Sequence, residues 1–395
     1  MKKILFTAFC LLAFAFPAAR GADAMPGMGK ASRVELGSSA AFAPDGRLFV
    51  ATRQGAHVAL QHSADGGASW SPPVLVNAVA ETVSADGENR PKLAFGPDGA
   101  VLVSWTHPLG KPFSGEIRFA RSDDGGLTFS PPLTVHRDRA EITHRFDSLS
   151  VGPDGRILVT WIDKRDLEAA KAAQRAYRGA AIYAAVSDDG GRTFLPEAKV
   201  ADHSCECCRI AIARDTDGAP LVLWRHVFAP NERDHALARL KPDGTPESVR
   251  RATFDQWRID ACPHHGPSIA VDDEGTRHAV WFNQKEGDGH VFYGRLRSRG
   301  DAIAVEGQRP VGGPRAAHAD LAAAGAHLAI AWKEFDGERT RLHALVSDDR
   351  GRSFTPRELG TTDGASDQPR VLARGPALHV FWRTEKEGFR LYRLP

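Results

Sequence analysis

The chain has 395 residues, 42% of them hydrophobic and 25% charged, an ordinary balance for a protein with a packed core. Its 51 basic and 49 acidic residues leave a formal net charge of +2, with both signs mixed along the chain. No long basic run occurs, so neither nucleic acid nor an anionic membrane is expected as a partner.

The N-terminus carries a secretory pattern. Lys2 and Lys3 precede an apolar run from Ile4 to Phe16, and Ala22-Asp23-Ala24 offers an A-x-A cleavage site. That run is shorter than the ~20 residues a membrane-spanning helix needs. Phe9, just before Cys10, is too bulky for a usual lipoprotein signal. The expectation is a signal peptide over residues 1–24, a single mature domain over 25–395, and a periplasmic or secreted bacterial protein. No later segment has transmembrane length.

Beyond the leader, one unit recurs. A short apolar strand, a turn ending in Gly and a strand ending in Trp read KLAFGPDGAVLVSW from Lys92 and SLSVGPDGRILVTW from Ser148. The unit returns from Ile210 to Trp224, Ser268 to Trp281, Asp320 to Trp332 and Arg370 to Trp382. The copy from Ala40 ends in Thr52 instead. Alternating Val, Ile, Leu and Ala mark strands, and Asp-Gly supplies the positive φ of a hairpin turn. Repeats at this spacing predict an all-β propeller of four-stranded blades. Each Trp is expected to pack between neighbouring blades.

A second signature follows the third strand of four repeats: Ser63 to Trp70, Ser122 to Phe129, Ser187 to Phe194 and Ser347 to Phe354 fit S-x-D-x-G-x-[ST]-[FW]. Asp65, Asp124, Asp189 and Asp349 can each accept backbone N–H bonds inside the turn, a structural role. Lys241-Pro-Asp-Gly244 reads as a decayed copy. These motifs resemble the Asp-boxes of the sialidase superfamily, and the resemblance covers nearly all of the mature chain. Repeat counting favours seven blades, with the six of true sialidases as the alternative. Ser32 to Leu36 is expected to supply the outer strand missing from the last repeat.

The resemblance implies that loops leading into each inner strand gather at one mouth of the axis. These axial loops hold Arg90, His144, Arg145, Arg209, Arg315, His318 and Arg370, the candidate binding residues for a small anionic ligand. The alternative is that these groups pair with Asp and Glu around a wet channel. The resemblance also implies an arginine triad, a Tyr nucleophile paired with Glu, and an Asp acid. Tyr183, Tyr293 and Tyr392 fall within third strands, Tyr177 lies in an insertion, and no Arg-Ile-Pro motif occurs. Sialoside hydrolysis is therefore disfavoured, and no catalytic residue is assigned.

Cys205, Cys207, Cys208 and Cys262 all fall in the axial loops of the fourth and fifth repeats. In an oxidising compartment two disulfides are expected, with three possible pairings. The competing reading is a copper or zinc site built from these cysteines with His264 and His265, and a third is a redox-active thiol pair. C-x-C-C followed by C-P-x-x-G-P resembles a subgroup of exported bacterial sialidase-like proteins. Residues 164–179, KRDLEAAKAAQRAYRG, are rich in helix formers and predict a short helical insertion, read as a lid over the mouth with a solvated excursion as the alternative. The functional expectation is a non-hydrolytic propeller that binds a ligand, metal or partner, the partner being a glycan or a periplasmic protein. An exo-α-sialidase or related glycoside hydrolase is the alternative, and a structural interaction scaffold the third class.

Overall fold

Alternating apolar runs between Gly turns build the repeated hairpins. In the third repeat, Leu149 opposes Val159 across the pair, and the turn closes by a 3.0 Å bond from the Gly155 amide to the Gly152 carbonyl. Gly155 sits at φ +79, which few other residues adopt without cost. The computed structural model describes residues 34–285 and 287–395, so the leader expected over 1–24 lies outside the described residues. Residues Glu35–Pro395 form one compact unit.

Seven antiparallel sheets make up this unit, six of four strands and a seventh of three. Their inner strands are Ser38–Phe42, Lys92–Phe95, His144–Val151, Ala211–Arg214, Ser268–Val271, Ala316–Ala324 and Arg370–Arg374. Each lies beside the next, and the last lies beside the first, so the sheets form a closed ring of seven blades rather than six. No described helix is long and apolar enough to cross a membrane.

The signature aromatics hold the blades together. Trp105, Trp161, Trp224, Trp281, Trp332 and Trp382 are all buried, and each joins a cluster shared with the preceding blade. The first repeat has Thr52 in place of Trp. There the joint with blade seven is filled by Phe381 and Leu48, with Trp70 edge-on to Phe389 at 4.9 Å.

The Asp-boxes work as local corners. Asp124 accepts from the Leu127 and Thr128 amides and from the Thr128 and Ser122 hydroxyls, at 2.6–3.0 Å. Asp65, Asp189 and Asp349 repeat the pattern. Hydrogen bonds of this kind favour the charged form and hold all four carboxyls below their usual range, least for Asp189, where burial opposes them. The decayed copy keeps part of this, because Asp243 accepts from the Thr245 amide and hydroxyl.

Two expectations change. Among the described residues, Val34–Leu36 form no strand, and the last blade keeps the three strands Arg370–Arg374, Ala377–Thr384 and Gly388–Arg393. The physical reason lies at Gly37. Its amide donates to the Ala85 carbonyl at 3.0 Å, drawing the chain toward the axial loop of blade two instead of along Gly388–Arg393. The insertion does form a helix, Arg165–Ala172, but its anchors run outward. Asp166 accepts from Tyr183 at 2.8 Å and pairs with Lys199 at 3.1 Å, both on outer strands of blade three. The residue before the helix, Lys164, pairs with Glu206 in the cysteine loop, and that is its link to the mouth.

The Gly at the fifth position of each box, Gly67, Gly126, Gly191 and Gly351, meets the preceding blade. A Cβ on Gly191, at φ +86, would lie 2.6 Å from the Phe119 ring, whereas one on Gly66, at φ +72, would meet nothing. Gly66→Ala should therefore cost about 1–2 kcal/mol of backbone strain alone, and Gly191→Ala about 1–3 kcal/mol beyond that from overpacking. Urea unfolding of the two variants measures the difference, and equal losses would remove blade contact as the reason for glycine.

Candidate functional site

Three of the predicted arginines meet at the axis, and the chain neutralises them itself. Arg90, fully buried, donates to Asp367 at 2.8 Å, to the Ser38 carbonyl at 2.9 Å and to Gln368 at 2.9 Å. Glu88 stands between two others, 2.7 Å from Arg370 and 3.3 Å from Arg209. Asp320 lies 3.6 Å from Arg209 and 3.8 Å from Arg370. Three guanidiniums thus face three carboxylates. Burial alone would raise the Glu88 carboxyl, but the charges of Arg209, Arg370, Arg90 and Lys92 override it and hold it low. Half-buried Lys92 donates to the Glu88 and Arg90 carbonyls at 2.8 and 2.9 Å, and loss of water pulls its ammonium down to about 8.

The other candidates are dispersed. His318 is half-buried beside Gln368, its Nδ1 3.0 Å from the amide nitrogen, and stacks on His265 at 4.2 Å. Burial holds both imidazoles below their usual range, His265 at about 4. His144 lies inside blade three, stacked on His136 at 4.0 Å and 3.7 Å from Asp163. Arg145 packs over the Phe146 ring, and exposed Arg315 donates to the Asp336 carbonyl at 3.0 Å. The sequence reading passed over Glu88 and Arg233. Glu88 stands immediately before Asn89-Arg90, and a chain of net charge only +2 with an arginine-rich mouth needs such counter-charges.

The cysteines converge. The Sγ atoms of Cys205, Cys207 and Cys208 are 3.9, 4.0 and 3.8 Å apart, and all three side chains are buried. Cys262, exposed and from the next blade's loop, completes a second group in which Cys205, Cys207 and Cys262 lie within 4.8 Å of one another. No two sulfurs are bonded, and these separations are about twice the S–S bond length of ~2.05 Å. Of the expected histidine ligands, His264 is exposed, and His265 is stacked between His318 and Phe282. Among the described residues the cluster of potential metal ligands contains sulfur only.

Chain geometry explains the convergence. Arg209, next to Cys208, donates to the Pro267 carbonyl at 2.8 Å, and Gly266 packs so closely that a Cβ would lie 2.3 Å from Arg209 Cβ. Arg225 donates to the His265 carbonyl at 2.9 Å, fixing the same stretch. Arg233 donates to Cys205 Sγ at 3.7 Å. Hydrogen bonds from the thiols of Cys207, Cys208 and Cys262, then the charge of Arg225, hold the Cys205 thiol well below its usual value. The other three thiols are pushed up, chiefly by sharing their protons with Cys205. Trp224, in the same cluster, buries its indole N–H without an acceptor among the described residues, whereas Trp161 donates to Asp163 at 2.8 Å.

The tyrosines are engaged elsewhere than at Arg90, Arg209 and Arg370, Tyr183 lying under Arg165 at 4.1 Å and Tyr293 under Arg309 at 5.2 Å. Tyr183 donates to Asp166 and Tyr177 to Asp202, each at 2.8 Å. Tyr293 bonds His278 beside the Asp-box of blade six. A cavity of about 620 Å³ lies at the opposite end of the axis, lined by Phe42, Phe95, Pro97, Pro153 and Arg374.

The arginine network makes a sharp prediction. Glu88→Gln removes the carboxylate between two buried guanidiniums, and breaking a buried pair costs about 3–5 kcal/mol. Chemical denaturation checks this, with Arg315→Ala as an exposed control within about 0.5 kcal/mol of wild type.

No family model and no curated protein matches the chain. Solved structures do. A PL25 ulvan lyase bound to -[GlcA(1-4)Rha3S]- superimposes with TM-score 0.55 at 12% identity, over 91% of this chain and 94% of its own. Polysaccharide lyase Uly1 gives 0.56 at 11% identity, over 93% and 91%. The Hadza microbial sialidase Hz136 gives 0.52 at 15%, over 86% and 74%. At such identities the likeness is one of fold, and with the closed ring of seven sheets it makes this chain a seven-bladed β-propeller.

Proposed function

We propose that this chain is an exported, non-hydrolytic propeller whose functional centre is a thiolate metal site formed by Cys205, Cys207, Cys208 and Cys262. The supporting observation is the sulfur spacing. Sulfurs bound to one ion at ~2.3 Å lie about 3.8 Å apart in a tetrahedron and about 4.0 Å apart in a trigonal plane. The buried triangle has edges of 3.9, 4.0 and 3.8 Å. Thiolates select soft or borderline ions, so monovalent copper and zinc are the ions this donor set suits.

The arginine mouth argues for the same reading by default. A carboxylate-gripping triad needs free guanidiniums, and here Arg90, Arg209 and Arg370 already face Asp367, Glu88 and Asp320. The solved neighbours named for sialidase and lyase activity lend their frame to this proposal and not their chemistry.

Protein purified from the periplasm, without added metal or chelator, should carry about one equivalent of copper or zinc, the yield expected of a single site. Cys207→Ser should lose it while the seven-bladed fold persists in circular dichroism. Metal-free protein with no titratable thiols would replace this reading with two disulfides. Turnover of a fluorogenic sialoside would overturn the non-hydrolytic part.

A further inference from the structure

The four sulfurs are not equivalent. Two triangles share the Cys205–Cys207 edge: Cys208 completes a buried one, and Cys262 completes one that is open to solvent. Cys205, Cys207 and Cys208 come from one tight loop and are at most 4% exposed. Cys262 comes from the neighbouring blade's loop. That loop is pinned just after it, by His265, Gly266 and Pro267 against Arg225 and Arg209. Cys262 itself precedes the pinned stretch, at the surface.

Charge points the same way. Among the described residues, Arg225 and Arg233 form no ion pair with a carboxylate. Arg225, 1% exposed, donates only to the carbonyls of Arg233, His265 and Phe282. Arg233 donates to Cys205 Sγ. Buried charge without a partner is costly. Three thiolates on a monovalent ion carry two negative charges, which match two guanidiniums. Three thiolates on zinc would carry one and leave zinc short of its four ligands, and four would need Cys208 and Cys262 in one group, whereas the mutually close group that holds Cys262 does not include Cys208.

Building on the proposed metal site, we infer that Cys262 is the exchange ligand of a monovalent copper centre, through which the ion reaches a buried resting position on Cys205, Cys207 and Cys208. Copper arrives on the outer triangle from a donor thiolate: its bond to the donor sulfur breaks as bonds to Cys205, Cys207 and Cys262 Sγ form, and the protons these thiols lose pass to the freed donor thiolate and to water. The bond to Cys262 Sγ then breaks as the bond to Cys208 Sγ forms. Cys208 gives up its thiol proton and Cys262 takes one up, so charge balances and copper stays monovalent throughout. Cys205 and Cys207 hold the ion during the exchange, which keeps it from leaving as a free ion. Release to an acceptor runs the same steps backwards.

The test uses the full mature chain, reduced and anaerobic, with monovalent copper supplied as its bathocuproine disulfonate complex. Wild type should take one ion. Cys262→Ser should bind copper with nearly wild-type affinity but exchange it at least about tenfold more slowly, whereas Cys208→Ser should exchange quickly and bind at least about tenfold more weakly. Cys262→Met, which returns a soft ligand, should restore much of the rate. Should the buried Cys208 variant fail to fold, the split between rate and affinity in the Cys262 variants still decides. Equal loss of affinity in Cys262→Ser and Cys208→Ser, or unchanged exchange in Cys262→Ser, overturns the inference and leaves a single four-thiolate site. Reduced wild type that binds neither copper nor zinc overturns the underlying metal reading instead.

Discussion

The carboxylate of Asp367 accepts hydrogen bonds from the Ser38 amide and hydroxyl and from Arg90, at 2.8–2.9 Å. One buried side chain on blade seven thereby ties down the first strand of blade one and the axial loop of blade two. A ring of sheets has no exposed edge to manage only if its ends meet. Here they meet through that carboxylate at the axis and through Trp70, Phe381 and Phe389 further out. Every blade between is held by its own Trp against the preceding one. The axial loops inherit fixed positions from this closure, and so do the arginines and cysteines they carry.

Much of this was legible in the sequence because it is local. The strand–turn–strand–Trp unit and the Asp-box each fold within fifteen residues or fewer, so their repetition alone specified blades, turns and count. Ring closure was misread for the opposite reason. Ser32 to Leu36 has a strand-like pattern, but the bond from Gly37 to Ala85 is made to a residue nearly fifty positions away. The same limit applied at the mouth. Arg90, Arg209 and Arg370 could be placed in axial loops by counting repeats. Their partners Glu88, Asp320 and Asp367 come from blades two, six and seven, and only the folded ring sets them side by side. The cysteines fell between: their loops are adjacent by repeat count, yet which sulfurs approach which depends on how Gly266 and Arg209 pack.

The resemblance of the Asp-box motifs to those of sialidases implies guanidiniums waiting for a carboxylate. In this chain the carboxylate is Glu88, supplied internally and low in pKa because the arginines surround it. An incoming anion would have to displace it and leave a buried charge unmatched. The neighbouring sector of the same face differs. There Arg225 and Arg233 have no carboxylate partner among the described residues, and the negative charge available to them is sulfur. The axis is thus electrostatically complete in one part and complete only with thiolates in the other. Function is assigned to the second part for that reason.

X-ray absorption of protein purified from the periplasm tests this assignment most directly, because it reads the sulfur environment and any bound metal in one sample. The account predicts a copper or zinc edge with an all-sulfur first shell at about 2.3 Å and no S–S bonding in the sulfur spectrum. A sulfur spectrum dominated by disulfide, with no metal edge above background, would contradict it.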